Sequence, residues 1–268
     1  MADNIQDYYK RCIYRIHSNI IDIRAPVIAG TQNTVFFVET PWEKFVVKFN
    51  DEELIRKNLG AARLFARNDI PVPDLHIGSV RDRWYETYPI LNGDTLYEKI
   101  GNGMPEHRIK RIYNHVINNF AKMDEISPRA LAPYECKYVH QMAAHHIKNS
   151  NGKLLAAVFK PMVWALNAGR ERNMGVFHSD ITPKNIVVDD RDNITFLDMD
   201  SIVICNRNFA LGAMATKYQS LGLDITELFD LCDKKLSTPI NRGRVAAMAN
   251  INNFGKYLLW RQSQSKKR

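Results

Sequence analysis

The sequence of 268 residues predicts an α+β fold in two lobes, a small β-rich N-terminal lobe and a larger, mostly helical C-terminal lobe. Two observations lead to this prediction. Short apolar runs bounded by turn residues are concentrated in the first 90 residues, whereas long patterns of helical period dominate the remainder. We therefore expect one domain over residues 1–90 and a second over residues 91–268.

The N-terminal lobe is predicted to hold a short helix, a sheet and one further helix. Segments 34–40 and 44–50 read as strands joined by the turn-forming "PWE", and "HIGSV" and "WYETYPIL" read as later strands. Asp51, Glu52 and Glu53 open the second helix, where the positive end of the helix dipole favours acids. Its apolar face recurs at helical spacing and comprises Ile55, Leu59, Ala62 and Ala66.

The C-terminal lobe begins with a long amphipathic helical pattern, "PEHRIKRIYNHVINNFAKMDEI". Its apolar positions predict a buried helix face consisting of Ile109, Ile112, Val116, Phe120 and Met123. Two later segments, "ALGAMATKYQSLGLDITELFDLC" and "RVAAMANINNFGKYLLWRQ", are also helical in pattern.

The net charge of +8 favours anionic partners, namely nucleotide phosphates, nucleic acid or an anionic membrane surface, although a merely basic surface explains it equally well. No basic–aromatic stripe gives a specific nucleic-acid signal. The four cysteines form no CxxC pair, so neither a zinc site nor a disulfide framework is predicted. The polar first residues predict no signal peptide, and no apolar run reaches the roughly 18–20 residues of a membrane span. We expect a cytoplasmic protein, with a peripheral position at a membrane face as an alternative.

The segment "VFHSDITPKNIVVDDRDNITFLDMDS" (176–201) combines a polar loop with two short apolar runs. The runs "NIVVD" and "NITFLD" read as strands, and "DRDN" between them reads as a hairpin turn. Because a hairpin brings its two ends together, Asn185 and Asp198 are predicted to lie side by side, with Asp180 on the loop beside them.

These three side chains suit phosphoryl transfer from ATP. A carboxylate at Asp180 can orient an acceptor hydroxyl and accept its proton, while the oxygens of Asn185 and Asp198 can bind Mg²⁺. The alternative is an ordinary hairpin with solvated turn carboxylates, which accounts well for Asp189, Asp190 and Asp192 but poorly for the spacing of the other three. His178 is interpreted as a structural residue that holds the loop.

The "HSDITPKN…LDMD" pattern resembles the catalytic loop of the protein-kinase-like superfamily, specifically of its aminoglycoside phosphotransferase and choline kinase branch. The resemblance implies a bilobal protein-kinase-like fold that uses ATP and Mg²⁺. It further implies that Asp180 is the catalytic residue and that Asn185 and Asp198 bind the metal, with Asp200 as a second acidic ligand.

Four further stretches agree with this resemblance. "IAGTQNTVFFV" (28–38) is similar to the phosphate-covering turn of that branch, with Gly30 and Asn33 at matching positions. "FVVKF" offers Lys48 as the strand lysine that binds the α- and β-phosphates, although a strand-end lysine that reaches solvent is the alternative. "ARNDIPVPDL" and "ILNGDTL" resemble two more segments of the branch, the second after the hinge that holds adenine.

Several positions depart from the protein-kinase pattern. Ser179 replaces the arginine before the catalytic Asp, Thr182 stands where Ser/Thr kinases carry a lysine, and "DMD" replaces D-F-G with no A-P-E after it. The helix glutamate that should pair with the strand lysine is replaced by Asn58. Glu52 and Glu53 are substitutes more than a turn earlier, but they are better explained as acids at the helix N-terminus.

The leading hypothesis is an ATP-dependent phosphotransferase that acts on a hydroxyl of a small molecule or sugar, of the aminoglycoside, choline or glycan type. The short chain after Asp198 also resembles lipopolysaccharide core-sugar kinases, which implies an acidic glycolipid acceptor at a membrane face. Two alternatives are an atypical protein Ser/Thr kinase and, favoured by Asn58, an inactive kinase-fold binding module. Asp224 is predicted either to support the catalytic loop or to cap a helix.

Overall fold

The computed structural model of the protein describes residues 2–25, 34–131 and 174–250. The chain divides into two compact units, Met1–Gly93 and Asp94–Arg268. That the first of them covers a nucleotide and the second holds the catalytic, metal and acceptor sites stays a prediction.

The first unit contains a five-stranded antiparallel sheet in the order β1-β2-β3-β5-β4. Its elements, in chain order, are α1 (Ala2–Ile16), β1 (Asp22–Arg24), β2 (Thr34–Glu39), β3 (Lys44–Asn50), α2 (Glu52–Arg67), β4 (His76–Val80) and β5 (Arg83–Pro89). The predicted N-terminal helix, the four predicted strands and the second helix are therefore confirmed. The three-residue β1 was not predicted, because it is too short to show a period.

The two faces of β3 have different roles. Alternate side chains of a strand point to opposite faces, and one face of β3 packs against α1. This core consists of Cys12, Ile13, Phe36, Val38, Phe45, Val47 and Phe49. Lys48 consequently lies on the other face of the sheet, away from the α1 core.

The buried stripe of α2 differs from the predicted one. Ile55 and Ala62 are buried as expected, but Ala66 is exposed, and Asn58 and Phe65 are buried instead. Burying the aromatic ring of Phe65 removes far more apolar surface from water than burying the methyl of Ala66. The larger side chain therefore decides which face of the helix turns inward.

The second unit carries two small antiparallel sheets and several helices. Its elements are β6 (Asp94–Thr95), α3 (Leu96–Gly101), α4 (Glu106–Glu125), β7 (Met174–His178), β8 (Ile186–Val188), β9 (Ile194–Phe196), β10 (Ile202–Asn206), α5 (Arg207–Ser220) and α6 (Ile225–Lys235). The strands β6, β8 and β9 form one sheet, and β7 pairs with β10 in the other. The pairing of β7 with β10 was not predicted, since it joins segments that are distant in the chain.

The helical predictions for this unit are confirmed with one correction. All five predicted apolar positions of α4 are buried. The segment "ALGAMATKYQSLGLDITELFDLC", predicted as helical in pattern, is divided into α5 and α6 at Gly222. The φ of Gly222, 77°, lies in the left-handed region that glycine adopts without steric cost. Residues 242–250 are helical, and the rest of the predicted last helix lies outside the described residues.

The described cysteines, Cys12, Cys205 and Cys232, are buried free thiols. Cys136 lies outside the described residues. Within the same described ranges, the helices are too short or too polar for a membrane crossing.

Candidate active site

The predicted hairpin is present and brings the ends of its two arms together. Strands β8 and β9 pair in the register that sets Ile186 opposite Phe196. One step beyond this pair, the Leu197 N–H donates to the Asn185 carbonyl over 2.9 Å. Asn185 therefore lies directly across from the residue that precedes Asp198.

Asp180 is an exposed carboxylate whose orientation is set by Asn185. The side-chain N–H₂ of Asn185 donates to the Asp180 carbonyl at 2.9 Å and to the Asp180 carboxylate oxygen Oδ2 at 3.0 Å. The Thr182 N–H donates to the same carbonyl at 2.8 Å. The Asn185 nitrogen is thus used to hold Asp180, whereas the amide oxygen is the atom that could serve as a metal ligand.

Asp198 follows β9 in a left-handed backbone conformation, with φ 61° and ψ 64°. Aspartate tolerates this region better than most residues, and such residues are often found at functional sites. The Ser201 hydroxyl donates to the Asp198 oxygen Oδ2 at 3.0 Å. Asp200 is half-buried in the helical turn Met199–Ser201 that comes next. The predicted acidic ligands thus lie on one turn at the end of the hairpin.

His178 ties this loop together, as predicted for a structural histidine. The imidazole is buried, and its Nε2 donates to the Leu197 carbonyl at 2.6 Å. The Nδ1 atom accepts from the Asp180 N–H at 3.3 Å, so the neutral tautomer protonated at Nε2 satisfies both contacts. The ring joins the backbone beside Asp198 to the backbone of Asp180.

Ser179, which stands where protein kinases carry an arginine, has a local structural role. Its backbone N–H and its hydroxyl both donate to the Ser201 carbonyl, each at 2.8 Å. These bonds continue the pairing of β7 with β10 and hold the start of the loop against the turn after Asp198.

The side chains around the hairpin fit a magnesium ion by their chemistry. One amide oxygen and two carboxylates are the hard oxygen donors that Mg²⁺ prefers. Among the residues that the structure describes, three or more His, Cys, Asp or Glu side chains are nowhere gathered as a metal cage.

Lys48 has an acid partner that was not predicted. In the pairing of β3 with β5, Lys48 lies directly opposite Glu86, and its Nζ is 3.7 Å from the Glu86 oxygen Oε1. Asn58 of α2 donates its side-chain N–H₂ to Glu86 Oε2 at 2.8 Å. All three side chains are at least 94% buried. The alternative of a lysine that reaches solvent is therefore wrong.

A weak signal for Glu86 was present in the sequence. It is an acid inside "WYETYP", a segment predicted as strand, and glutamate is rarely buried in a strand without a partner. Glu52 and Glu53 were interpreted as acids at the N-terminus of α2, and the structure agrees. Glu52 pairs with Arg56 at 2.8 Å, and Glu53 is exposed in the first helical turn.

Two further candidates, Gly30 and Asn33, lie outside the described residues, so their assignment to a phosphate-covering turn stays a prediction.

The interpretation of Asp192 as a solvated carboxylate of the hairpin turn is wrong. Asp192 is only 4% exposed, and its carboxylate accepts from Arg108 at 2.8 Å and also from Arg111, both on α4. The hydrogen bond from Arg108, followed by that from Arg111, lowers the Asp192 pKa below its ordinary value. By contrast, Asp190 is fully exposed, and Asp189 closes the turn by accepting from the backbone of Asn193.

Asp224 caps a helix, which was one of its two predicted roles. Its carboxylate accepts from the Thr226 N–H at 2.8 Å at the start of α6, and this bond lowers the Asp224 pKa.

Solved structures of small-molecule phosphotransferases share this fold. APH(2″)-IIIa in complex with GDP and kanamycin superposes with a TM-score of 0.69 at 10% identity, over 97% of this chain and 94% of its own. The choline kinase LicA from Streptococcus pneumoniae gives 0.67 at 10% identity, over 97% and 92%. The amicoumacin kinase hAmiN, with AMP-PNP, Ca²⁺ and Ami, gives 0.65 at 9% identity, over 88% and 79%.

No curated protein sequence matches the chain. The fold of the chain is that of these kinases and phosphotransferases, as predicted. The model of the phosphotransferase enzyme family matches residues 24–205, and the chain belongs to that family. The prediction of a phosphotransferase is confirmed at this level.

Proposed function

We propose that the protein transfers the γ-phosphate of ATP to a hydroxyl group of a small molecule or glycan. One observation carries the proposal: the Asn185 amide orients the Asp180 carboxylate, while its backbone pairs beside Asp198. A base for the acceptor hydroxyl and oxygen ligands for a metal are thereby held by one hairpin.

In the proposed reaction, Asp180 orients the acceptor hydroxyl and accepts its proton. The hydroxyl oxygen forms a bond to the γ-phosphorus, the bond from that phosphorus to the bridging oxygen breaks, and ADP leaves with the electron pair. Lys48 binds the α- and β-phosphates. Asn185, Asp198 and Asp200 would hold Mg²⁺, which would supply charge neutralisation at the phosphates. Because the transition state is loose, positioning and charge neutralisation carry most of the acceleration.

The structural neighbours support this choice of donor and acceptor. One is a choline kinase, one holds GDP together with kanamycin, and one holds AMP-PNP with Ca²⁺. Because one of these structures holds a guanine nucleotide and another holds an adenine nucleotide, both ATP and GTP are tested as donors. The net charge of +8 also fits an acidic acceptor, such as a phosphorylated glycolipid at a membrane face.

The two alternative functions differ in their support. The inactive binding module was favoured only by Asn58, and Asn58 is explained by its hydrogen bond to Glu86. Phosphorylation of a protein stays a prediction without a specific observation of its own, and it is best treated as one arm of the same assay.

The test is phosphate transfer from labelled ATP and GTP to a panel of aminoglycosides, choline, sugars, glycolipids and proteins. Replacing a general base lowers the rate by about 10²–10⁴-fold, so Asp180→Ala should lose that much turnover on the accepted substrate. Asp190→Asn is the matched control, because Asp190 is fully exposed in the nearby hairpin turn. An Asp180→Ala protein within a few-fold of wild type would exclude Asp180 as the base, and transfer to proteins alone would favour the protein kinase.

A further inference from the structure

We propose that Glu86 is the positioning residue for Lys48 and that Asn58 holds Glu86 in place. This inference rests on the proposed role of Lys48 in binding phosphates. In protein kinases the corresponding lysine pairs with a glutamate from the helix, and the position of that helix controls activity. Here the helix α2 offers an amide, and the acid comes from the neighbouring strand β5.

The side chains of Lys48, Glu86 and Asn58 are buried together, and the opposite charges of Lys48 and Glu86 are paired. Lys48 and Glu86 are 5% and 2% exposed, and Asn58 is fully buried. Removing charges from water is costly unless they are paired and hydrogen-bonded. The Glu86 oxygen Oε1 faces Lys48, and the other oxygen, Oε2, accepts from Asn58. The Asn58 bond thus fixes the carboxylate in the orientation that faces the ammonium group.

The pairing of β3 with β5 also determines the position of Lys48 relative to Glu86. Residues directly opposite in an antiparallel pair have Cβ atoms about 4.5–5.5 Å apart, and the backbone hydrogen bonds of the ladder maintain that distance. Lys48 and Glu86 are such a pair. Both charges of the ion pair are therefore supplied by the sheet itself, and α2 contributes the Asn58 bond that orients the Glu86 carboxylate. We expect a lysine that is positioned constitutively.

The key experiment moves the carboxylate from the strand to the helix. Glu86→Gln keeps the shape and removes the charge, whereas the exchange variant Asn58→Glu/Glu86→Gln restores one carboxylate in the same buried group. Glu52→Gln is the control, because Glu52 is an exposed α2 acid that pairs with Arg56. For each full-length protein, AMP-PNP affinity is measured by calorimetry with Mg²⁺, KM and kcat are measured for ATP, and the thermal midpoint is recorded.

We expect Glu86→Gln to weaken AMP-PNP binding and to raise the KM for ATP by about tenfold or more, as for loss of one charge-assisted contact. The exchange variant should recover most of that loss, and Glu52→Gln should stay within about twofold of wild type. A merely structural carboxylate would change the thermal midpoint but leave the affinity and the KM in place.

A double-mutant cycle with Lys48→Met shows whether Glu86 acts through the lysine. In the Lys48→Met background, Glu86→Gln should change AMP-PNP affinity by less than about threefold. An equal effect in both backgrounds, or a Glu86→Gln protein with wild-type affinity and KM, would overturn the positioning role. If Glu86→Gln does not fold, the exchange variant decides, because it must then both fold and bind AMP-PNP.

The two proposals fail in different ways. A wild-type protein that neither binds AMP-PNP nor transfers phosphate from ATP or GTP contradicts the proposed function itself. A wild-type protein that transfers phosphate, together with a Glu86→Gln variant that keeps its KM, contradicts only the role of Glu86.

Discussion

The side-chain amide of Asn185 lies 3.0 Å from the carboxylate of Asp180, and the same amide nitrogen lies 2.9 Å from the Asp180 carbonyl. The first contact sets the carboxylate rotamer and the second closes the loop. Asn185 therefore has a role in addition to the metal binding that its sequence position implies, because it orients the proposed base.

Asn185→Ala should lower kcat on the accepted substrate by about 10- to 100-fold, because a hydrogen bond to a charged group contributes about 1.5–3 kcal/mol. It should also raise the Mg²⁺ concentration needed for half-maximal rate. Steady-state kinetics in a Mg²⁺ titration measure both effects. Asn193→Ala, in the hairpin turn, is the control, and an unchanged kcat in Asn185→Ala would contradict the orienting role.

Replacing His178 with Ala should destabilise the protein and lower activity indirectly. The change removes a buried ring and leaves the Leu197 carbonyl and the Asp180 N–H without their partners, at a cost of about 2–4 kcal/mol in the free energy of unfolding. Urea denaturation measures this cost. His76→Ala is the matched control, because the His76 side chain is 71% exposed and should change stability by less than about 0.5 kcal/mol. Equal stability of the two variants would argue against a structural His178.

Asp192→Asn should destabilise the protein at neutral pH. The free energy of unfolding should fall by about 1–2 kcal/mol, a value kept low by solvent around the partly exposed Arg108 and Arg111. In the same turn, Asp190→Asn should have almost no effect.

The Asp192 effect should depend on pH in a defined direction. Arginine hydrogen bonds lower the Asp192 pKa in the folded protein below the ordinary value of 3.8. The stabilisation is therefore complete above that value and disappears as the pH falls through the folded pKa. Urea midpoints of wild type and Asp192→Asn should differ at pH 7 and converge once the pH has fallen below 3.8 and through the folded pKa. A difference that persists at low pH would contradict the ion pair as its source.

Arg207→Met should be strongly destabilising because it leaves the buried carboxylate of Asp124 without its charged partner. Arg207 at the start of α5 donates to Asp124 of α4 at 2.8 Å, and both side chains are nearly buried. Removing one partner of a buried pair costs about 3–5 kcal/mol, whereas the double variant Arg207→Met/Asp124→Leu should lose much less. Unfolding in urea at pH 7 compares the two proteins.

The pH dependence of Arg207→Met follows from the environment of Asp124. Burial raises the Asp124 pKa, and Arg207 opposes that rise. Without the arginine, burial favours the neutral, protonated form of Asp124 still more strongly. The free energy of unfolding of Arg207→Met should therefore increase as the pH falls from 7 to 5. A variant whose stability falls over that range would show that Asp124 is not the cause.

Much of the architecture could be predicted from local patterns. The helix α4 was predicted from its five apolar positions, and the hairpin from two short runs around "DRDN", because both depend on residues that are close in the chain. The proximity of Asn185 to Asp198 followed from the hairpin without any other knowledge of the fold. The motif spacing then predicted the phosphotransferase class, which the family match confirms.

Tertiary structure decided the rest, because those contacts join residues that no local period relates. Glu86 was not identified as the partner of Lys48, since only the register of β3 with β5 sets them opposite each other. Asp192 resembled a solvated turn residue until α4 supplied its two arginines. The apolar pattern of α2 predicted a buried Ala66, but the helix face that carries the larger side chain of Phe65 is buried and Ala66 is exposed. Local chemistry thus predicts the loop that carries the candidate metal ligands, whereas long-range packing determines which acid lies beside Lys48.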